Sequence, residues 1–286
     1  MSFKSIDPSV VTADVKRALA EDLGSGDLSA ALVPAAQKLQ AVIIAREDCV
    51  LCGAAWADAC FRSLDPEIEL DWQKVDGEHA QANQVLLQIT GSARAILSAE
   101  RCALNFLQTL SGTATLSDKY AQLVAGSRTR ILDTRKTLPG LRQAQKYAVR
   151  VGGCHNHRMG LYDAVLIKEN HIAAAGSITA AVAAARQSGD YLVEVEVESV
   201  EEFTQACDAG ADRVMLDEFS EADLRAAIGM GRSVELEISG SVDEDRLKSL
   251  LQFGVDYISV GALTKHVRAI DLSLRAVSGF SDASAD

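Results

Sequence analysis

Two kinds of residue stand where this 286-residue chain could do chemistry. The first is a set of cations: Arg135 and Lys136 in "DTRKT", Arg158 in "VGGCHNHRMG", and Lys168 after "AVLI". Each falls at the end of an apolar stretch or in a glycine-bearing connector, where a solvated helix face does not account for it. The window 128–168 holds nine Lys/Arg against two acids, a local +7, although the whole chain carries −12. Converging cations repel one another unless an anion arrives, and the planar guanidinium fork suits carboxylates and phosphates. In the same window Arg142, Lys146 and Arg150 are spaced four apart, which reads as a solvated helix face.

The second kind is acidic. "EVEVE" at 194–198 alternates, so three carboxylates share one strand face. In a strand covered on both sides such carboxylates need cations or a metal as partners. Glu196 and Asp217 end successive strands 21 residues apart and could together face Mg²⁺ or ribose hydroxyls. Ser239–Gly240 and Gly261 occupy equivalent turns one unit apart, where glycine leaves backbone N–H groups free for phosphate. Two other chemistries compete: Lys168 as a Schiff-base lysine, and His155 with His157 in "HNHR" as zinc ligands.

Composition narrows the partners. A pI near 4.9 argues against nucleic acid, whose phosphates attract basic surfaces. The opening "MSFKSIDPSV" has no apolar core of a signal peptide, and no run approaches a membrane span, so a cytoplasmic protein is expected. Six scattered cysteines read as reduced and mostly buried, the single Cys49-x-x-Cys52 lacking a second pair.

The elements that must position these residues fall into two rhythms. Asp7–Pro8 predicts a capped helix through about Leu23. Residues 39–91 then alternate as strands around the helical "WADACFRSL", and a long helix follows over 93–111. From about 130, short apolar strands alternate with amphipathic helices: "RIL", "AVLI", "YLVEVEV", "RVML", "VELEI", "YISV". Serial βα units imply a parallel sheet, whose strand ends, Asp133, Lys168, Glu196, Asp217, Ser239 and Gly261, would gather at one mouth. The fold expected is α/β: an N-terminal α+β sandwich-like domain (1–112), an incomplete, open (β/α) barrel (113–275), and a polar tail (276–286).

Residues 133–171, "DTRKTLPGLRQAQKYAVRVGGCHNHRMGLYDAVLIKENH", closely resemble the signature of the quinolinate phosphoribosyltransferases. "ALAEDLGSGDLSA" and "ILSAERCALNFLQTLSGTAT" are similar to that family's N-terminal blocks, and "EVEVES", "VMLDEFS", "EISGSV" and "ISVGALTKHVRAIDLSLR" to its C-terminal ones. The resemblance implies transfer of phosphoribose from phosphoribosyl pyrophosphate to quinolinate, giving nicotinate mononucleotide, pyrophosphate and CO₂, with Mg²⁺. It implies that Arg135, His157, Arg158 and Lys168 hold the pyridine dicarboxylate, with Lys136 close by. Lys136, Lys168, Glu196 and Asp217 would be the catalytic set, with Glu196 and Asp217 serving ribose and metal. Ser239, Gly240 and Gly261 would hold the 5′-phosphate. The family also implies a homodimer or higher even oligomer, with Arg101 of "ERCALN" reaching the partner's site.

Overall fold

The computed structural model describes residues 5–231 and 233–277. They form two compact units, one within residues 5–118, 138–153 and 266–277, the other within 119–137 and 154–265.

The first unit opens with α1 (Pro8–Leu23), as its sequence predicts: the Asp7 carboxylate accepts the Ser9 N–H at 2.8 Å, and Pro8 fills the first helical position. Gly24, at φ +51, closes it. Strand β1 (Lys38–Ala45), the short β2 (Cys49–Val50), helix α2 (Ala54–Leu64), β3 (Glu69–Trp72), the short β4 (His79–Ala80) and β5 (Val85–Ser92) follow. Alternation of buried and exposed residues along β1 turns one face of the sheet to the core. Trp56 and Phe61 of α2 are fully buried there, each contributing about 1.5–3 kcal/mol of apolar burial. Five of the six cysteines are buried and all six are free thiols. Burial pushes the Cys49 thiol up to about 11, which keeps it protonated and inert.

Helix α3 extends over Ala93–Leu123, a dozen residues beyond the expected 111, and the division between the units falls inside it. The first unit also takes back two later elements, α4 (Arg142–Val151) and a final strand (Leu272–Ala276) that pairs antiparallel with β1. The solvated face expected for α4 is corrected: Lys146 is fully buried. Of the polar tail expected from 276, residues 278–286 lie outside the described residues.

The second unit is a six-stranded parallel sheet. Its strands are β6 (Arg130–Leu132), β7 (Val165–Ile167), β8 (Val193–Val197), β9 (Arg213–Asp217), β10 (Glu235–Ser239) and β11 (Tyr257–Ser259), in the order β6-β11-β10-β9-β8-β7. Between them run α5 (Glu169–Ala175), α6 (Ile178–Gln187), α7 (Val200–Asp208), α8 (Glu221–Gly229) and α9 (Glu244–Leu250), with α10 (Ala262–Lys265) after β11; the returning strand of the first unit is β12. Capping side chains set several helix starts: Ser177, Ser199 and Asp243 accept the N–H of Ala180, Glu202 and Arg246. The first and last strands in the order are β6 and β7, the first two of this unit in chain order, so pairing leaves the barrel open between them. Beside β6 the opening is taken by the "CHNHR" segment: His155 bridges Leu132 in parallel, and its N–H donates to the Ile131 carbonyl at 2.8 Å.

Candidate active site

Strand register decides which side chains face inward together. Glu194 is level with Arg213, which is level with Glu235. Glu196 is level with Met215, then Glu237 and Tyr257, and Asp217 is level with Ser239. Neighbours in register on parallel strands point to the same face, so one face of β8–β11 carries a ladder of polar residues from Arg213 up to the strand tips.

At the tips, Lys168 Nζ lies 2.5 Å from Glu196 Oε2. Lys168 is thus held by a carboxylate rather than lodged among apolar groups, which removes the surround that Schiff-base chemistry needs. Arg158 is half-buried, and burial and then the charge of Arg135 lower its pKa, against the pull of Glu194, Asp163 and Glu196. Two guanidiniums that press on one another's charge are a site prepared for an anion. Lys136 runs along the Gly261 turn: a Cβ placed on Gly261 would stand 3.3 Å from Lys136 Cδ and 3.9 Å from Nζ. Thr264 Oγ1 donates to the Lys136 carbonyl at 2.9 Å, fixing that turn to the "DTRKT" segment. Ser239 and Gly240 form the neighbouring turn, with Gly240 at φ +130, a backbone conformation that glycine supplies without strain.

The "DTRKT" and "HNHR" segments are tied together from below. Asp133 is fully buried and accepts the His157 N–H at 3.0 Å and Asn156 Nδ2 at 2.6 Å. Thr134 Oγ1 accepts the Lys136 N–H. Asp163 accepts the N–H groups of Met159 and Gly160, closing the loop that carries Arg158. Asp133 and Thr134 are scaffold; the charges they present are Arg135, Lys136 and Arg158.

His157 is turned into the ladder. Its Nε2 lies 3.0 Å from Glu194 Oε2 and 3.6 Å from Glu237 Oε1, and its Nδ1 accepts the Arg158 N–H at 2.7 Å. Glu194 and Glu237 are buried. Burial pushes Glu194 up to about 7, and burial together with the neighbouring Glu194 pushes Glu237 up to about 8. Ser259 Oγ donates to Glu237 Oε1, and Arg213 Nη1 lies 3.4 Å from Glu237 Oε2 while its guanidinium covers the Tyr257 ring at 3.9 Å. Sequence reasoning missed Glu237, Arg213 and Ser259. The available signal was the second alternating string, Glu235-x-Glu237 in "VELEI", which repeats the pattern of Glu194-x-Glu196.

The structure therefore brings Arg158 within electrostatic reach of Arg135 and Glu196, Lys168 to Glu196, and Lys136 to Gly261. Arg101 belongs to the first unit, exposed on α3. Among the described residues, the group of three or more with one ligand atom each within 4.8 Å is His157, Glu194 and Glu237. No helix among the described residues is long and apolar enough to cross a membrane.

Residues 113–275 match the family model of the quinolinate phosphoribosyl transferase C-terminal domain, and residues 27–111 that of its N-terminal domain. The chain belongs to the quinolinate phosphoribosyltransferase family. A Bacillus subtilis relative, named a probable nicotinate-nucleotide pyrophosphorylase (carboxylating), is 40% identical over 89% of both chains. A chloroplastic Arabidopsis thaliana enzyme of that name is also 40% identical, over 91% of this chain and 81% of its own length. The solved nicotinate-nucleotide pyrophosphorylase of Francisella tularensis superposes with a TM-score of 0.91 at 46% identity, over 95% of this chain and 98% of that one. Against this quinolinate phosphoribosyltransferase frame, the open barrel mouth is where the cations and acids meet.

Proposed function

We propose the following division of labour for the reaction of this family, in which quinolinate and phosphoribosyl pyrophosphate give nicotinate mononucleotide, pyrophosphate and CO₂. The two quinolinate carboxylates meet Arg135, Arg158 and Lys168. The observation that carries this is the mutual repulsion of Arg135 and Arg158, which a dianion relieves and a neutral base does not. Lys136, running along the Gly261 turn, serves the phosphate side of the mouth with Ser239 and Gly240.

The pyridine nitrogen attacks the anomeric carbon as the bond to pyrophosphate breaks. No general base is needed, because the attacking lone pair carries no proton. Orientation and placed charge then supply the rate, with Glu196 and Asp217 beside the ribose as positive charge develops. Once alkylated, the nitrogen is cationic and accepts the electron pair released when the adjacent carboxylate leaves as CO₂; a proton then takes that carbon. The cations must select a diacid without clamping the departing carboxylate.

Mg²⁺ fits the tip residues by donor type, since Asp217 and Glu196 offer carboxylate oxygens on adjacent strands. Glu196 already carries the Lys168 ammonium, so Asp217 is the residue left to meet an ion that arrives with the pyrophosphate. That ion would neutralise the leaving group. We also assign Arg101 to the partner subunit's site in a homodimer; its exposure on α3 supports a role outside its own core.

The deciding assay follows quinolinate-dependent formation of nicotinate mononucleotide and release of labelled CO₂, with nicotinate as control substrate. Equal turnover of nicotinate, or product without CO₂, overturns the assignment.

A further inference from the structure

We propose that Glu218 belongs to the phosphate side of the mouth: its carboxylate rests on the Gly240 turn as a resident anion, and any ligand that brings a 5′-phosphate there must displace it. This rests on reading the Ser239–Gly240 turn as the phosphate site.

The first observation behind it is conformational. Glu218 directly follows Asp217, the last residue of β9, and its backbone takes φ +51. Left-handed backbone is costly for any residue with a Cβ; among the described non-glycine residues Asn83 is the other case. Strain of this kind gathers where a side chain has to be aimed. An extended residue would continue the alternation of β9, and Glu218 breaks it one step beyond Asp217.

The second observation is where the side chain ends. A Cβ placed on Gly240 would stand 3.0 Å from Glu218 Oε1, 3.1 Å from Cδ and 3.3 Å from Oε2. Such nearly equal distances mean that the carboxylate lies face-on over Gly240, with neither oxygen leading. Glycine is thereby required twice at 240, for its φ of +130 and for the room above it. Glu218 is exposed, and among the described residues no cation or hydrogen-bond donor holds it. Rotation of its own side chain is enough to uncover the turn.

The consequence follows from charge. A carboxylate and a phosphate a few ångströms apart repel, so the two do not share the turn. Phosphoribosyl pyrophosphate and nicotinate mononucleotide carry the same 5′-phosphate, so the cost of moving Glu218 falls equally on substrate and product. Quinolinate, held by Arg135, Arg158 and Lys168, does not meet it. Glu218 thus weakens the hold on the one group that both ends of the reaction share, and it retakes the turn as product leaves. A carboxylate beside Asp217 could instead take Mg²⁺, and that reading predicts effects of the opposite sign. Among the described residues, however, Glu218 belongs to no group of three or more ligand atoms within 4.8 Å.

Kinetics of the full-length enzyme at saturating Mg²⁺ test this. Glu218→Gln keeps the shape of the side chain and removes its charge. It is expected to lower KM for phosphoribosyl pyrophosphate, and with it the inhibition constants of nicotinate mononucleotide and inorganic phosphate, each by about threefold to fivefold, the scale of one exposed charge pair. KM for quinolinate should change by less than about twofold. Glu218→Asn, whose side chain suits left-handed backbone better, should do the same and decides the matter if the glutamine variant folds poorly. A general loosening of the fold would weaken these ligands, not tighten them. Unchanged constants for the phosphate ligands, or a rise in them, overturns the proposal. Equal tightening of quinolinate also overturns it, since that would mark net charge and not position. Failure of the phosphate-turn reading shows separately, as a Ser239→Ala enzyme with unaltered KM for phosphoribosyl pyrophosphate, and would take the proposal with it.

Discussion

Lys168 Nζ, from the residue after β7, stands 2.5 Å from Glu196 Oε2 on β8, the lysine side chain 39% exposed and the glutamate 11%. An ion pair at the rim of a mouth is screened and contributes little to folding, about 1 kcal/mol or less. Its value lies in placing a cation where an anionic substrate must come. Lys168→Ala, and likewise Arg135→Ala, is therefore expected to lower kcat/KM for quinolinate by about 10²-fold or more, with a melting temperature close to wild type. Near-wild-type turnover in both variants would remove them from the site.

Lys136 and Gly261 give a sharper test of the phosphate side. A methyl group at 261 would press on Lys136 Cδ at 3.3 Å, the flexible part of a side chain that can give way. Gly261→Ala should then fold normally yet raise KM for phosphoribosyl pyrophosphate several-fold by displacing the ammonium. In a Lys136→Ala background the same substitution should add nothing, because the group it displaces is gone. A double-mutant cycle reads this directly, and strict additivity would sink the idea.

Burial of Glu194 and Glu237 predicts an unusual stability profile. Both carboxyls have folded pKa values above the ordinary 4.5, about 7 and about 8, so between those limits the folded state holds protons that the unfolded chain has released. Stability must fall as pH rises through that window. His155 opposes this only below its ordinary 6.5, since burial and Arg130 lower its pKa. Denaturant titrations are therefore expected to show stability dropping from pH 6.5 to 8, by a few kcal/mol at most. Glu237→Gln should flatten the slope, with His157, Glu194, Ser259 and Arg213 left around the amide. A rising profile in the wild type would contradict the burial of this pair.

Much of the scaffold was legible in the sequence for a simple reason. Short apolar strands between capped helices repeat in order, and each of the six expected strands is found in place. Local pattern also marked the cations, because Arg135, Arg158 and Lys168 break the rules of a solvated face. What local pattern could not carry was partnership across the sheet. No acid lies near His157 in sequence apart from Asp163, and its carboxylates arrive from β8 and β10. Lys146 has the spacing of a surface residue and is buried all the same, because tertiary packing outweighs periodicity there. The return of β12 to β1 depends on contacts more than two hundred residues apart, beyond any window of a periodicity argument.

The continuation of α3 past residue 111 has its own energetic signature at Gly112. Glycine inside a helix usually costs about 1 kcal/mol against alanine, so replacing it would ordinarily stabilise. Here a Cβ would lie 2.1 Å from the Arg268 carbonyl oxygen, a backbone atom that cannot step aside. Steric conflict wins, and Gly112→Ala is expected to lose about 1–3 kcal/mol. Gly229, at the end of α8 with nothing within 4 Å of its Cβ position, is the control and should tolerate alanine. Equal melting shifts for the two variants would contradict the close approach at Arg268.

Subunit mixing tests the assignment of Arg101 to the partner subunit's site. If Arg101 serves its partner's barrel, an Arg101→Ala subunit retains a sound Lys168, while a Lys168→Ala subunit retains a sound Arg101. Each homodimer is inactive, but a hybrid has one site built from the two intact halves. Random reassortment makes about half of the dimers hybrid, with one of two sites restored, so the mixture should regain about a quarter of wild-type activity. The recovery should follow the time course of subunit exchange and vanish if the subunits are cross-linked before mixing. No recovery after proven exchange would place Arg101 in its own subunit's site, or outside catalysis.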